Sequence, residues 1–240
     1  LAQAAALLGI RALICVPGGC SEAIKAAIRA RGGEATEVRT VGRFYDEARE
    51  EARRLAEEQG LIPVPSSGDP LVDAGGGTLA LEMLEEEPEL DLILCPLSGG
   101  GLASGVASLA GALRPEARVY GVYPRSNPSW PVAWTHGEVL PVEEEESYAD
   151  ALARSASPEL FPHLRDRLSG ILGVEEEEIG RAMALLFREH RQVVEGAGAI
   201  PAAALLAGKI GAEGLRVGLV ASGGNPEERV FMEVLRTYRS

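Results

Sequence analysis

Leu90 to Leu97 reads Leu-Asp-Leu-Ile-Leu-Cys-Pro-Leu, a nearly unbroken apolar run that leads straight into Ser98-Gly99-Gly100-Gly101-Leu102. An apolar run this short without polar alternation suits a strand covered on both faces, as in a parallel sheet flanked by helices. The adjacent glycines remove the Cβ atoms that would hold a ligand off the main chain, and the small residues after them open a helix whose N-terminal end is positive. Strand, glycine turn and helix in that order make a cradle of main-chain N–H groups for one small anion, which points to a phosphorylated ligand.

The rest of the chain carries the same alternation. A helix to Leu8, a strand Ala12 to Val16, a helix Ser21 to Arg31, a strand Ala35 to Thr40 and a long helix Phe44 to Gln59 imply parallel pairing. Pro63-Val64-Pro65-Ser66-Ser67-Gly68-Asp69-Pro70 is the clearest punctuation. A boundary is expected there, with 1–66 part of a smaller α/β domain and 67–240 a larger, cofactor-binding one. Next come a helix from about Gly77 to Glu86, the strand and its loop, a helix Ala103 to Leu113 and a strand Val119 to Tyr123. Asn127 to Glu146, rich in Pro, Trp and Glu without a clean period, reads as a long surface excursion, with Glu143 to Glu146 a solvated face. Glu175 to Glu178 suit the first turn of a helix running to Arg191, where carboxylates oppose the positive end of the dipole. An alanine-rich helix Pro201 to Ala207, a strand Val217 to Ala221, a second glycine turn Ser222-Gly223-Gly224-Asn225 and a short helix complete the pattern.

Composition excludes several partners. With a net charge of −13 and no long basic tract, the chain is a poor candidate for nucleic acid. Its apolar stretches are interrupted well short of a membrane span and follow no basic leader, so a cytoplasmic protein without a membrane partner is expected. Cys15, Cys20 and Cys95 form no paired framework, and His136, His163 and His190 are far apart; all six read as structural or incidental, and no metal is expected. Leu1 begins inside a helical pattern with no Met and no N-cap, so a segment upstream of it is expected.

Gly99, Gly101 and Gly105 allow a dinucleotide reading, but the spacing is not G-x-G-x-x-G. The next strand ends in Tyr123-Pro124-Arg125, with no acid for a ribose hydroxyl. No Gly-Lys-Ser/Thr follows the loop, so phosphoryl transfer is unsupported. The second turn, at Ser222, also follows a strand, and two such turns on one sheet edge suggest one shared ligand; a plain strand-to-helix turn is the other reading. Glu195, before Gly196-Ala197-Gly198, is either a site carboxylate or the end of a tight packing junction.

Taken in order, these segments resemble the fold type II pyridoxal-phosphate enzymes (tryptophan synthase beta-like), most closely their threonine/serine dehydratase and serine racemase branch. The resemblance rests on Leu7-Leu8-Gly9-Ile10, on Asp69-Pro70 followed by Val72, Ala74, Gly75, Gly77-Thr78 and Glu82, and on the Ser98 loop. Tyr148-Ala149-Asp150, Val193 to Gly198 and Ser222 to Asn225 complete it. It implies an α/β chain of two parallel-sheet, three-layer domains, incomplete at the N-terminus, with pyridoxal 5'-phosphate as cofactor. It further implies that Ser98, Gly99, Gly100, Gly101 and Leu102 bind the phosphate, that Ser222, beside Gly223, meets the pyridine nitrogen, and that Glu195 orients the cofactor. A hydroxyl at that nitrogen does not force a proton onto it, which makes a milder electron sink suited to eliminating a β-hydroxyl.

The implied activity is dehydration of hydroxy-amino acids such as threonine or serine to a 2-oxo acid and ammonia, by a homodimer or homotetramer. Racemisation at Cα shares the first step and is the alternative. Cysteine synthases and threonine synthase match less well at the glycine loop. The sequence departs from the family at three places. The Schiff-base lysine of the family belongs to a segment upstream of this chain, whose lysines, Lys25 and Lys209, do not occupy its motif, so no catalytic residue is assigned. Tyr123 and Pro124 stand where relatives often carry a cation-binding carboxylate, and Gly76 where Gln is common. No effector domain is expected after the closing helix. A chain that truly starts at Leu1 would instead be a non-catalytic cofactor- or amino-acid-binding protein, and a nicotinamide oxidoreductase is a third reading.

Overall fold

A computed structural model describes residues 1–20, 22–143 and 145–239. The chain divides into two compact units, Leu1–Pro65 and Ser66–Ser240.

The smaller unit contains α1 (Ala2–Leu8), β1 (Ala12–Val16), α2 (Glu22–Gly32), β2 (Thr36–Thr40) and α3 (Tyr45–Gln59). Its strands pair in parallel, Ala12 opposite Thr36 through Val16 opposite Thr40. The second strand starts one residue later than expected because Gly33–Ala35 form a 3₁₀ turn. Phe44 precedes α3 as its cap instead of beginning it, and its N–H donates to the Glu47 carboxylate at 2.9 Å. The expected helix start at Ser21 lies outside the described residues.

The larger unit is built on a four-stranded sheet ordered β5-β4-β3-β6, parallel throughout. Its elements are α4 (Pro70–Glu86), β3 (Leu92–Pro96), α5 (Gly101–Leu113), β4 (Arg118–Pro124), α6 (Ser129–His136), α7 (Phe161–Arg167), β5 (Gly170–Val174), α8 (Glu176–His190), α9 (Gly196–Leu206), β6 (Val217–Leu219) and α10 (Glu228–Thr237). Every residue of β3 is buried, as its unbroken apolar sequence requires. Ile93 and Cys95 pack into a core with Ala80, Val106, Trp130 and Leu164 from α4 to α7. Leu92 and Leu94 join a second core with Ile179, Met183, Ile200 and Val234 from α8 to α10. This alternation makes the three layers of an α/β fold.

Further expectations need correcting. α4 begins at Pro70, not Gly77, because Asp69 caps it, accepting from the Leu71 and Val72 N–H groups at 2.9 and 3.2 Å, and Pro70 suits the first turn. Gly75 and Gly76, ahead of the expected start, lie inside the helix, where α4 meets α5 main chain to main chain: a Cβ on Gly105 would stand 2.1 Å from the Asp73 carbonyl oxygen and 2.5 Å from the Gly77 nitrogen. α9 begins at Gly196, not Pro201, since its small residues are buried against the sheet. The stretch from Asn127 is not a surface excursion, for it contains α6, with Ser129, Trp130 and Ala133 buried. Glu143, Glu145 and Glu146 are exposed as expected, and Glu144 lies outside the described residues. α7 and β5 went unread; β5 is a short edge strand with two glycines and shows little apolar periodicity.

Candidate functional site

β3 and β6 are neighbours, with Leu92 opposite Val217 and Leu94 opposite Leu219. The turns after them therefore emerge side by side at the C-terminal edge of the sheet, the usual ligand edge of open α/β folds. Ser98 to Leu102 and Ser222 line one cavity of about 220 Å³, together with Ser66, Ser67, Ala151 and Arg154.

The polarity of the glycine loop follows from where its carbonyl groups go. Trp130 Nε1 donates to the Ser98 carbonyl oxygen at 2.6 Å, the Ser157 N–H to that of Gly99 at 3.2 Å, and the Ser104 N–H to that of Gly100 at 2.8 Å. With three successive acceptors engaged, the loop offers donors to a ligand. Gly100 has a φ of 105°, and a Cβ there would strike Leu164 at 2.7 Å, so glycine is required. α5 has no side-chain cap, which leaves N–H groups of its first turn to a ligand or solvent. Ser98 Oγ is buried and has no hydrogen-bond partner, a costly state unless a ligand supplies one. Together these groups make a candidate anion site.

The segment around residue 150 reaches the cavity through two buried polar side chains on the α6 side. Asn127 Nδ2 donates to the carbonyl oxygens of Leu152 and Arg154 at 2.9 and 3.1 Å, while Ser129 Oγ accepts from the Ala156 N–H at 2.8 Å. Arg154 Nη1 donates to Ser66 Oγ at 3.1 Å. Sequence reasoning missed Trp130, Asn127 and Arg154 as parts of this site; the Asn127-Pro128-Ser129 turn signal was legible, but nothing local showed that it would be buried.

Glu195 and Gly223 stand beside Ser222 and do not line the cavity. Glu195 Oε2 accepts the Asn225 N–H at 3.0 Å, its main-chain N–H donates to the Gly223 carbonyl oxygen at 3.0 Å, and a Cβ on Gly223 would lie 2.2 Å from its carboxylate. The carboxylate thus holds the turn that carries Ser222, which joins the two open readings of Glu195: it ends a tight junction and belongs to the site's support.

Beneath the loop, Asp73 on α4 is 8% exposed and accepts the Gly68 N–H at 3.1 Å. Burial pushes its carboxyl above the ordinary range. His163 on α7 lies 2.9 Å from Ser108 Oγ, and burial, then Arg167, pulls its imidazole below the ordinary value. Lys209 pairs with Glu178 at 2.7 Å, and Lys25, buried in the smaller unit, pairs with Glu22 at 2.8 Å.

The chain is similar to known proteins. The chain is 35% identical over 236 residues to the L-threonine ammonia-lyases of Geobacter sulfurreducens and Thermotoga maritima, covering 98% of itself and 58% of each relative. It therefore spans little more than half the length of these two curated relatives. The structure of maize serine racemase superposes with a TM-score of 0.88 at 27% identity, over 99% of this chain and 73% of that one. The processed form of threonine deaminase isoform 2 from Solanum lycopersicum superposes with a TM-score of 0.87 at 27% identity, over 98% and 68%. The family profile matches residues 1–223, and the chain belongs to the pyridoxal-phosphate dependent enzymes.

Proposed function

We propose that the protein is a pyridoxal-phosphate-dependent dehydratase, an ammonia-lyase that converts a hydroxy-amino acid such as threonine or serine to a 2-oxo acid and ammonia, and that the Ser66–Ser240 unit holds the cofactor. The observation that carries this is the loop Ser98–Leu102, its carbonyl groups engaged from behind and its donors left for an anion, sharing a cavity with Ser222. The residues present fit the cofactor's phosphate: the buried, unpartnered Ser98 Oγ calls for a ligand oxygen, and the loop's carbonyl groups, engaged from behind, leave its donors for an oxyanion.

Pyridoxal phosphate, when bound, withdraws electrons from the substrate's Cα and acidifies its proton. The chain's own residues bind and orient. The N–H groups of Ser98 to Leu102, with the Ser98 hydroxyl, would hold the phosphate at the positive end of α5. Ser222, which lines the same cavity, would meet the ring nitrogen with a hydroxyl able to donate or accept, and so would add no fixed charge there. Glu195 acts through the turn, anchoring Asn225, and Gly223 leaves room for its carboxylate. These are positioning roles.

The racemase reading is favoured by the likeness to maize serine racemase and shares the loss of the Cα proton. The same family reading takes the protein as a cytoplasmic homodimer or homotetramer with a small-molecule substrate and no nucleic-acid or membrane partner; among the described residues, no helix is long and apolar enough to cross a membrane. The test is to incubate the full-length protein and pyridoxal phosphate with L-threonine and L-serine, following 2-oxo acid and the enantiomer. Oxo-acid formation supports the dehydratase, enantiomer alone the racemase, and neither product across hydroxy-amino acids refutes both.

A further inference from the structure

Asp73 has no part in the reading above, yet it stands directly behind the anion site. It lies in the first turn of α4, is 8% exposed, and both carboxylate oxygens accept the Gly68 N–H, at 3.3 and 3.1 Å. A Cβ built on Gly101 would come within 2.7 Å of Asp73 Oδ1 and 2.9 Å of Ser67 Cβ. The carboxylate therefore rests against the turn of α5 that opens the cradle, while the residues it ties down, Ser66 to Gly68, include two that line the cavity. A negative side chain here is electrostatically wrong for a site whose main chain is arranged to attract an anion.

The groups facing Asp73 do not cancel this charge. On its own helix side Asp69 adds repulsion, and α5 contributes no ionisable residue over Gly101–Leu113. From α7 comes His163, which burial and Arg167 keep from holding a proton readily, so its attraction is weak near neutral pH. The loop before α4 supplies the Gly68 N–H, and Arg154 reaches that loop at Ser66 Oγ. Burial favours the neutral form of the Asp73 carboxyl, and a phosphate bound beside it favours that form further.

We propose that Asp73 sets the affinity of the Ser98–Leu102 cradle for phosphate, weakening binding while it is ionised and permitting tight binding once its carboxyl is neutral. This rests on the reading of that loop as the phosphate site. Asp73 is then a positioning residue with two separable effects: a brace on Gly68, which any side-chain carbonyl can supply, and a charge, which only the ionised carboxyl carries.

The experiment titrates the full 240-residue chain with inorganic phosphate, and separately with pyridoxal 5'-phosphate, between pH 4 and 8. The readout is tryptophan fluorescence, from Trp134 and from Trp130, whose indole holds the Ser98 carbonyl. Inorganic phosphate has no aldehyde to react with lysine. Asp73→Asn keeps an acceptor for Gly68 and removes the charge. At pH 8 it is expected to bind both ligands at least about tenfold more tightly than the natural chain, the scale of like charges on either side of one residue at protein dielectric. The ratio of the two affinities, from which titration of the ligand itself cancels, falls toward one as the pH is lowered through the titration of Asp73. Asp73→Ser, a second neutral replacement, is expected to change affinity in the same direction. If phosphate binds equally well to all three proteins at every pH, or more weakly to both variants, the proposal is overturned while the phosphate site stands. If no protein binds either ligand at any pH, the reading of the cradle falls and takes the proposal with it.

Discussion

Replacing Gly105 with alanine tests whether the glycines of α4 and α5 are there to bring two helix backbones together. Helix propensity alone favours alanine by about 1 kcal/mol in a helix interior. The structure sets the opposite sign, because the added methyl would lie 2.1 Å from the Asp73 carbonyl oxygen, 2.5 Å from the Gly77 nitrogen and 2.8 Å from the Gly76 carbonyl carbon. All three are main-chain atoms within α4, so no side chain can rotate away. Relief requires the helices to part, which loosens Ala80 and Leu84 from Ala103, Val106 and Ala107 in the core they share. Overpacking of this kind costs about 1–3 kcal/mol and occasionally more; with every clash on backbone the upper part of that range applies, leaving a net loss of roughly 2 kcal/mol after the propensity gain. For a urea dependence of about 2 kcal/mol per molar, the unfolding midpoint falls by about 1 M. Trp130 and Trp134 are the chain's two tryptophans, and both lie on α6, so their fluorescence reports on the larger unit. Gly111→Ala in the same helix is the control. Nothing stands within 4 Å of its Cβ, and its midpoint is expected to rise. Equal rises for both variants would refute the close-packing argument, as would an unchanged midpoint for Gly105→Ala.

Other perturbations probe the site's supports. Trp130→Phe leaves the Ser98 carbonyl without its buried donor; a loss of about 1–3 kcal/mol is expected, together with weaker phosphate binding, and a thermal melt matching the natural chain would contradict the role given to the indole. Asp69→Ala removes the acceptor for the Leu71 and Val72 N–H groups, for a loss of about 1 kcal/mol in chemical denaturation. The stability of Asp73→Asn should depend on pH with a definite sign. A carboxyl whose folded-state pKa is raised holds its proton more firmly in the native state, so stability falls as pH rises from the ordinary carboxylate value through the raised one. The variant should therefore melt above the natural chain at pH 8 and level with it near pH 4; a constant difference across that range would show that charge is not the cause.

Local chemistry settled much of this protein. The unbroken apolar run of β3, the triple glycine after it and the alternation of helical and strand patterns were enough for a parallel α/β fold and for a strand-turn-helix loop offered as an anion site, because covering both faces of a strand and bringing a ligand to the backbone are demands that residue types meet within a few positions. The order of motifs carried the family. Tertiary structure decided what depends on distant partners. Gly75 and Gly76 precede the helix start expected near Gly77, and Gly196 to Gly198 precede the one expected at Pro201, yet both sets lie in helices, since contact between backbones outweighs the propensity of glycine. Trp130 looked exposed among prolines and glutamates, and it is the donor that turns the Ser98 carbonyl away from the cavity. Asp73 was one more acid in an acidic chain; only the packing of α4 against α5 places its charge behind the Ser98–Leu102 loop, and no pattern along the sequence records such a distance.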